Sequence, residues 1–339
     1  MRIKKFVFGV IILIITGFFM TVQAQKKNFD PYSSPLAHTF SIVAKDAQTG
    51  NIGVAVQSHW FAVGTSVTWA KAGVGAVATQ SFVNPMYGQM GLELMQKGLS
   101  AKQTLDSLIS TDDGRDFRQV ALIDVSGRVA AYTGKKCVAD AGDMQGDQFS
   151  VQANMMLRNT VWPAMAKAFR ESEGKPLAER LVAALEAAQG QGGDIRGQQS
   201  AAILVVRGKA TGKKWKDRLV DLRVDNSLTA VHDIAKLLKA QRAYEHMNNG
   251  DLATEHGDTQ RALEEYGAAE KMFPDNLEMK YWHAVQLANM GRVKESLPLF
   301  KEVFVRNVHW MELTKRLIPN KLLDVNQDQL KMILNSVNN

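Results

Sequence analysis

Cysteine is nearly absent from this chain: Cys137 is the single cysteine among 339 residues. One thiol excludes an intramolecular disulfide. No histidine lies near Cys137 in the sequence to activate it as a nucleophile. We therefore expect Cys137 to be a buried thiol that packs as a small apolar group.

The chain also lacks the patterns that metals and nucleic acids require. Its seven histidines show no short ligand spacing such as His-x-x-x-His, so the sequence predicts no metal and no cofactor. The formal net charge is +7, and +4 remains once Arg2, Lys4 and Lys5 are set aside, which is too small an excess to indicate a nucleic-acid partner. Residues 207–218 carry six basic residues but one aromatic residue, Trp215, and are predicted to form a solvated hairpin.

Acidic residues are missing from positions 1–24. This segment has a basic start, an almost wholly apolar run over residues 6–20 and the small residue Ala24 at its end, which is typical of a secretory signal. The apolar run is shorter than the roughly 20 residues that cross a bilayer. We expect export to the periplasm or the exterior, with no membrane span after signal removal. An uncleaved anchor is the alternative.

A β-hairpin is predicted after a polar leader over residues 25–38. Apolar runs at 40–44 and 52–56 flank a turn that contains Gly50, and Thr39 opens the first strand. If the chain were cut before Thr39, its α-amine, with a pKa of about 7.7–8.0, would accept the hydroxyl proton. Nucleophile and base would then come from one residue. Fourteen residues separate position 24 from Thr39, so a second cut after His38 is required. The alternative is a threonine that only begins a strand.

The order of predicted elements favours an α+β domain over residues 39–226. Strands, two helices, strands, two helices and strands follow one another, which suits two antiparallel sheets between helical layers, a four-layer αββα sandwich. A parallel doubly wound sheet would need single helices between successive strands. The predicted helices cover residues 85–97, 100–110, 160–172 and 177–189.

Residues 227–339 are predicted to form an all-α helical-repeat domain. A long helix over 228–247 leads into two 34-residue units, 243–276 and 277–310, with small and large residues at tetratricopeptide-like positions. These positions are Gly257, Ala262, Tyr266, Ala269, Pro274, Ala284, Gly291 and Phe300. The repeats would bind a protein or cell-wall partner. The alternative is a helical extension without a ligand.

Several ordered motifs between residues 39 and 238 resemble DUF1028, a bacterial family of unknown function placed among proteins with the N-terminal-nucleophile hydrolase fold. The matching stretches are residues 39–44, 53–58, 60–64, 69–80, 84–88, 192–202 and 221–225. The resemblance implies that Thr39 is the nucleophile. It does not specify the reaction, because a fold hosts many activities.

Three further catalytic residues are assigned with Thr39. By similarity to proteasome-type threonine hydrolases, Lys71, 32 residues downstream, would lower the proton affinity of the Thr39 hydroxyl; a strand-end lysine facing water is the alternative. Asn154 is a candidate oxyanion donor. The glycine-rich loop before Asp194 would supply N–H groups and a carboxylate near the α-amine. The acidic partner that such hydrolases place at the end of the first hairpin is missing, and Gln57 stands there instead.

Residues in or beside the matching stretches are assigned to substrate binding: Gln57, Ser58, His59, Trp60, Gln80 and Arg196. The sequence thus predicts an exported hydrolase of the N-terminal-nucleophile type that acts on a small amide or peptide-like bond. The alternatives are a non-catalytic binding protein of the cell envelope and a scaffold whose repeats carry the function.

Overall fold

The computed structural model describes residues 36–338, with side chains from His38 onward. The predicted signal, residues 1–24, and most of the predicted leader lie outside the described residues. The strands are Leu36–Ala37 (β1), Thr39–Lys45 (β2), Ile52–Ser58 (β3), Thr68–Lys71 (β4), Gly75–Phe82 (β5), Arg118–Asp124 (β6), Val129–Thr133 (β7), Gly142–Gly146 (β8), Phe149–Ala153 (β9), Ser200–Val206 (β10) and Arg218–Val224 (β11).

Two pairs of helices lie between strands, one short helix separates the last two strands, and the other helices continue to the end of the described chain. The helices are Met86–Gln96 (α1), Ala101–Ser110 (α2), Val161–Glu171 (α3), Leu177–Gly190 (α4), Lys214–Asp217 (α5), Ala230–Glu255 (α6), Thr259–Met272 (α7), Leu277–Asn289 (α8), Val293–Arg306 (α9), His309–Leu317 (α10) and Gln327–Leu334 (α11).

Two sheets contain all of these strands. One has the order β1-β5-β6-β7, with β4 also paired to β5, and the other has the order β11-β10-β3-β2-β9-β8. Every strand pair is antiparallel. The predicted α+β class is therefore confirmed.

The predicted β2–β3 hairpin lies at the centre of the six-stranded sheet. Thr39 pairs with Ser58 at one end and Lys45 pairs with Ile52 at the other. Successive side chains of a strand point to opposite faces. Phe40 and Ile42 therefore pack against helices, whereas Val43 packs against the other sheet.

Three apolar layers hold the sheets and helices together. The outer face of the five-stranded sheet packs on α1 and α2, through residues such as Leu122 and Leu105. The two sheets share a core of small and β-branched residues, including Val54 and Ala78. The outer face of the six-stranded sheet packs on α3, α4 and the start of α6.

Local sequence explains where several elements begin, and two strands were missed: β1, which lies at the end of the predicted leader and pairs with β5, and β8. Helix α2 starts at a capping box, because Ser100 Oγ accepts from the backbone N–H of Gln103 and the Gln103 side chain accepts from that of Ser100. Strand β8 was not predicted. Its sequence, Gly-Asp-Met-Gln-Gly, shows no apolar alternation, and pairing with β9 makes it a strand.

The C-terminal region is helical, as expected, but α6 is longer than predicted. It runs to Glu255 rather than residue 247. Its first turns bury Ile234 and Leu238 in the core of the six-stranded sheet, and Arg242 forms an ion pair with Glu179 of α4. Within the described residues, none of the helices combines the length and apolar character needed to span a membrane.

The contact between α4 and β3 generates a stability prediction. Leu181 is fully buried and its Cδ1 lies 2.7 Å from where a side chain on Gly53 would begin, so the pair allows helix and strand to approach closely. Leu181→Ala should lower the free energy of unfolding by about 2–5 kcal/mol, measured by urea denaturation. The matched control is Leu228→Ala, at a leucine that is 84% exposed, which should change it by about 0.5 kcal/mol or less. Equal effects of the two variants would contradict this packing.

Candidate functional site

Thr39 is the first residue of β2 and is fully buried. The strand alternation turns its side chain toward the five-stranded sheet. Its carbonyl oxygen accepts hydrogen bonds from the backbone N–H of Asn154, at 3.0 Å, and from Gln80 Nε2, at 3.2 Å. Asn154 Nδ2 lies 3.4 Å from the same oxygen. Groups from both sheets therefore fix the start of β2.

Gln119 joins these donors from the middle of the five-stranded sheet. Its Oε1 accepts from Gln80 Nε2 at 2.7 Å and from Asn154 Nδ2 at 2.8 Å. Its Nε2 donates to the carbonyl of Ala153 at 2.9 Å, across the gap between the sheets. Each amide oxygen accepts and each amide nitrogen donates, so the three side chains form one consistent hydrogen-bond chain.

Ser41 extends this chain along β2. Its hydroxyl donates to Gln80 Oε1 and accepts from Gln152 Nε2, both at 2.5 Å. All of these side chains are buried. Buried amides and hydroxyls are costly without partners, so their mutual hydrogen bonds make this polar cluster compatible with the interior. We call Ser41, Gln80, Gln119, Gln152 and Asn154 the amide cluster.

His38 is bound to the end of the amide cluster. Its Nδ1 lies 2.8 Å from Asn154 Oδ1. Because Asn154 Nδ2 is the donor to Gln119, Asn154 Oδ1 is the acceptor, which assigns the hydrogen to His38 Nδ1. Burial lowers the pKa of His38, partly opposed by the Asn154 hydrogen bond. The imidazole is therefore neutral near pH 7, with Nε2 unprotonated.

The carbonyl oxygen of His38 accepts two side-chain hydrogen bonds. Ser58 Oγ donates at 2.6 Å and Arg196 Nη2 donates at 3.1 Å. Two donors on one carbonyl oxygen, one of them a cation, form the kind of arrangement that stabilises an oxyanion. This carbonyl belongs to the peptide bond that joins His38 to Thr39.

Asp194 holds Arg196 in this position. Its Oδ1 accepts from Arg196 Nε at 3.0 Å and its Oδ2 accepts from Nη2 at 2.7 Å. The carboxylate is fully buried and also accepts from the backbone N–H groups of Arg196 and His59. Four hydrogen bonds satisfy the buried charge and orient the guanidinium.

The structure therefore brings together most of the residues predicted from the sequence. Around Thr39 lie Ser58, His59, Gln80, Asn154, Asp194 and Arg196.

Lys71 lies elsewhere. It ends β4 opposite Gly75, whereas Gln80, which contacts Thr39, lies five residues further along β5. That separation corresponds to about 17 Å along a strand. The ammonium of Lys71 donates to Gln96 Oε1 at 2.7 Å and the side chain is exposed. The register of β4 on β5, which sequence spacing does not reveal, separates Lys71 from Thr39, so we assign Lys71 no role in the site.

Gln57 and Trp60 also lie apart from the Thr39 carbonyl. Gln57 pairs with Phe40 and therefore faces the helices, where its Nε2 lies 3.5 Å from the carbonyl of Gly197. Trp60 is half-buried and packs against the core between the sheets. Within the described residues, Gln57 Oε1 and His59 Nδ1 are buried without a hydrogen-bond partner.

Sequence reasoning missed His38, Ser41, Gln119 and Gln152. Three of them, Ser41, Gln119 and Gln152, are buried polar residues on the strand faces between the two sheets, and such residues mark a buried polar site. Cys137 lies outside this group. It is half-buried, its Sγ donates to the carbonyl of Arg118, and burial raises the pKa of its thiol. Within residues 36–338, no three His, Cys, Asp or Glu side chains are grouped to hold a metal.

Fold and site together define a class: an α+β protein of two antiparallel sheets with a buried polar cluster between them and a helical C-terminal region. Within that class, residues 39–234, more than half of the chain, match the profile described as a family of unknown function, DUF1028. The chain belongs to the DUF1028 family.

A solved structure supports this assignment. The crystal structure of protein SPO2555 from Silicibacter pomeroyi, described with the same family, is 30% identical in sequence, with a TM-score of 0.53. The alignment covers 60% of this chain and 88% of that one. No curated protein matches the chain.

The amide cluster generates a second prediction. Gln119→Leu keeps the side chain similar in size but deprives both Gln80 Nε2 and Asn154 Nδ2 of an acceptor. The free energy of unfolding should fall by about 1–3 kcal/mol for each of these two N–H donors that is left without an acceptor. Urea denaturation of the variant and of Gln145→Leu, at an exposed glutamine of β8, measures the difference. If Gln119→Leu were as stable as the Gln145→Leu control, the hydrogen bonds of Gln119 in the amide cluster would contribute nothing to stability.

Proposed function

We propose that this protein is an exported hydrolase of the N-terminal-nucleophile type, which cuts its own chain between His38 and Thr39 and then hydrolyses a small amide or peptide-like bond. The observation that carries the proposal is the pair of donors, Ser58 Oγ and Arg196 Nη2, on the His38 carbonyl oxygen. Donors so placed stabilise the negative charge that develops when a hydroxyl attacks that carbonyl.

The proposed self-cleavage has two steps. The Thr39 hydroxyl oxygen bonds to the His38 carbonyl carbon, the His38–Thr39 C–N bond breaks, and the proton lost by the hydroxyl ends on the released nitrogen. The product is an ester between His38 and the Thr39 side chain. Water then hydrolyses the ester, which leaves a carboxylate on His38 and a free amine and hydroxyl on Thr39.

In the processed protein, the α-amine of Thr39 is the general base. Its ordinary pKa of about 7.7–8.0 suits proton transfer near neutral pH. The carbonyl oxygen of a substrate would take the position that the His38 carbonyl held and receive the same hydrogen bonds from Ser58 and Arg196. Gln80 and Asn154 hold the Thr39 carbonyl, and Asp194 orients Arg196.

Two features of the chain support this proposal. Helix pairs on the outer faces of two packed antiparallel sheets suit the four-layer αββα sandwich expected of this hydrolase type. The family match begins at Thr39, the proposed nucleophile. We further propose export through residues 1–24, and binding of a protein or cell-wall partner by tetratricopeptide-like units in the helical region.

The cleavage is tested by incubating purified full-length protein and measuring chain masses over time. We expect a chain that begins at residue 39, in the same amount for the wild type and Thr39→Ser and absent for Thr39→Val. Ser58→Ala should slow its appearance by about 10²–10³-fold, the usual cost of one oxyanion donor. The matched control is Ser107→Ala, at an exposed serine of α2, which should cleave at the wild-type rate.

The result that would overturn the proposal is a chain that stays intact across His38–Thr39 in the wild type and in every variant. A second candidate function would then gain support, a non-catalytic binding protein of the cell envelope. It is favoured by the complete burial of Thr39. A panel of small amides that neither wild type nor Thr39→Val hydrolyses would agree with it.

A further inference from the structure

We propose that the connection between β10 and β11 is a docking surface for membranes that contain anionic phospholipids. We call residues 207–218 the basic tip. The proposal stands on the side chains of the basic tip and does not depend on the proposed hydrolase activity.

The basic tip presents a tryptophan to solvent. Trp215 lies in the single turn of α5 and is 76% exposed. Tryptophan is highly buried on average in folded proteins. Its large ring, apolar but with one N–H donor, suits the boundary between lipid and water. The exposure of Trp215, in the connection between two strands, is therefore unusual.

Hydrogen bonds hold the basic tip in one conformation. Arg207 N–H donates to the carbonyl of Asp217 at 2.9 Å, and Thr211 donates to Asp217 Oδ1 through its backbone N–H and its hydroxyl, at 2.8 and 2.7 Å. Lys216 N–H donates to the carbonyl of Lys213 at 2.8 Å. Trp215 is thus presented on an ordered turn, so that binding would cost little conformational entropy.

Basic residues flank Trp215 on both sides along the chain. The one acidic residue of the basic tip, Asp217, accepts hydrogen bonds from Thr211. The exposed basic side chains of the tip are Arg207, Lys209, Lys213, Lys214, Lys216 and Arg218. Of these, Arg218 forms an ion pair with Asp221. Anionic membranes attract such clusters, and lysines extend their charged ends to headgroups while their apolar stems remain near the lipid.

One aromatic residue among lysines fits a lipid surface better than a nucleic acid. Single-stranded nucleic acids are held by several aromatic residues on which successive bases stack, and the basic tip has only Trp215. A lipid interface needs just one apolar anchor with cations beside it. The charge and the chemistry of the tip therefore favour anionic phospholipid.

The basic tip lies at the end of the sandwich opposite Thr39. Val206, which precedes the tip, pairs with Ile52, and Ile52 pairs with Lys45 at the far end of β2. Thr39 and Lys45 are the two ends of a seven-residue strand, about 20 Å apart. Docking through the tip would leave the His38–Thr39 end directed away from the membrane.

The experiment is sedimentation of the exported form of the protein, without the proposed signal at residues 1–24, because that basic and apolar segment would itself bind vesicles. The vesicles are phosphatidylcholine, with and without about 30 mol% phosphatidylglycerol as the anionic lipid. We expect binding to the anionic vesicles only, weakened by salt. Replacing Lys213, Lys214 and Lys216 together by serine should reduce the partition constant about fivefold per lysine, and on the order of a hundredfold in all. Trp215→Ala should reduce it at least about fivefold.

The matched control replaces three exposed lysines of the helical region, Lys294, Lys301 and Lys321, by serine. It makes the same change in net charge and should bind as the wild type does. Three results would overturn the proposal: equal binding to both kinds of vesicle, equal loss in the control, or an unchanged partition constant for Trp215→Ala. Binding of duplex DNA or polyphosphate without binding of anionic vesicles would also overturn it.

Discussion

The exclusion of water from the space between the two sheets is the constraint on which this structure depends. Ser41, Gln80, Gln119 and Asn154 lie there with no exposed surface, so each of their polar atoms must find a protein partner or destabilise the fold. A cluster of this kind is satisfied in one register only, because a shift of one residue would turn every side chain to the other face. The hydrogen bonds that make these residues tolerable therefore also fix how β2, β5, β6 and β9 align.

The same alignment determines what is held at the start of β2. Hydrogen bonds from the amide cluster reach the Thr39 carbonyl on one side, and Ser58 and Arg196 reach the His38 carbonyl on the other. The carbonyl oxygen of the His38–Thr39 peptide bond and that of the next peptide bond are thereby both held, by groups from four separate parts of the chain. Rigid support of this kind is what a precisely oriented reacting group requires.

Much of the fold could be predicted because local patterns agree with it. The β2–β3 hairpin follows from two apolar runs and a glycine turn, and α2 follows from its capping serine and apolar stripe.

The site was predictable only in part. Ser58, Gln80 and Arg196 lie in the matching stretches and Asn154 directly follows β9, whereas the contact of Gln119 with Gln80 follows only from the pairing of β6 with β5. The assignment of Lys71 to the site was wrong for the same reason. The spacing of two residues along the chain does not show whether they lie at the same end of a sheet. Strand β8 has no apolar pattern of its own and depends on its neighbour.

Helix α6 has a consequence for how the two halves of the chain communicate. The family match ends at residue 234, inside this helix. One continuous rod of 26 residues is thus embedded in the sandwich at its beginning and packed among the later helices at its end. Bending at this border would break both the helix and the apolar contacts of Ile234 and Leu238. A displacement of the C-terminal helices would therefore be passed through α6 to the six-stranded sheet.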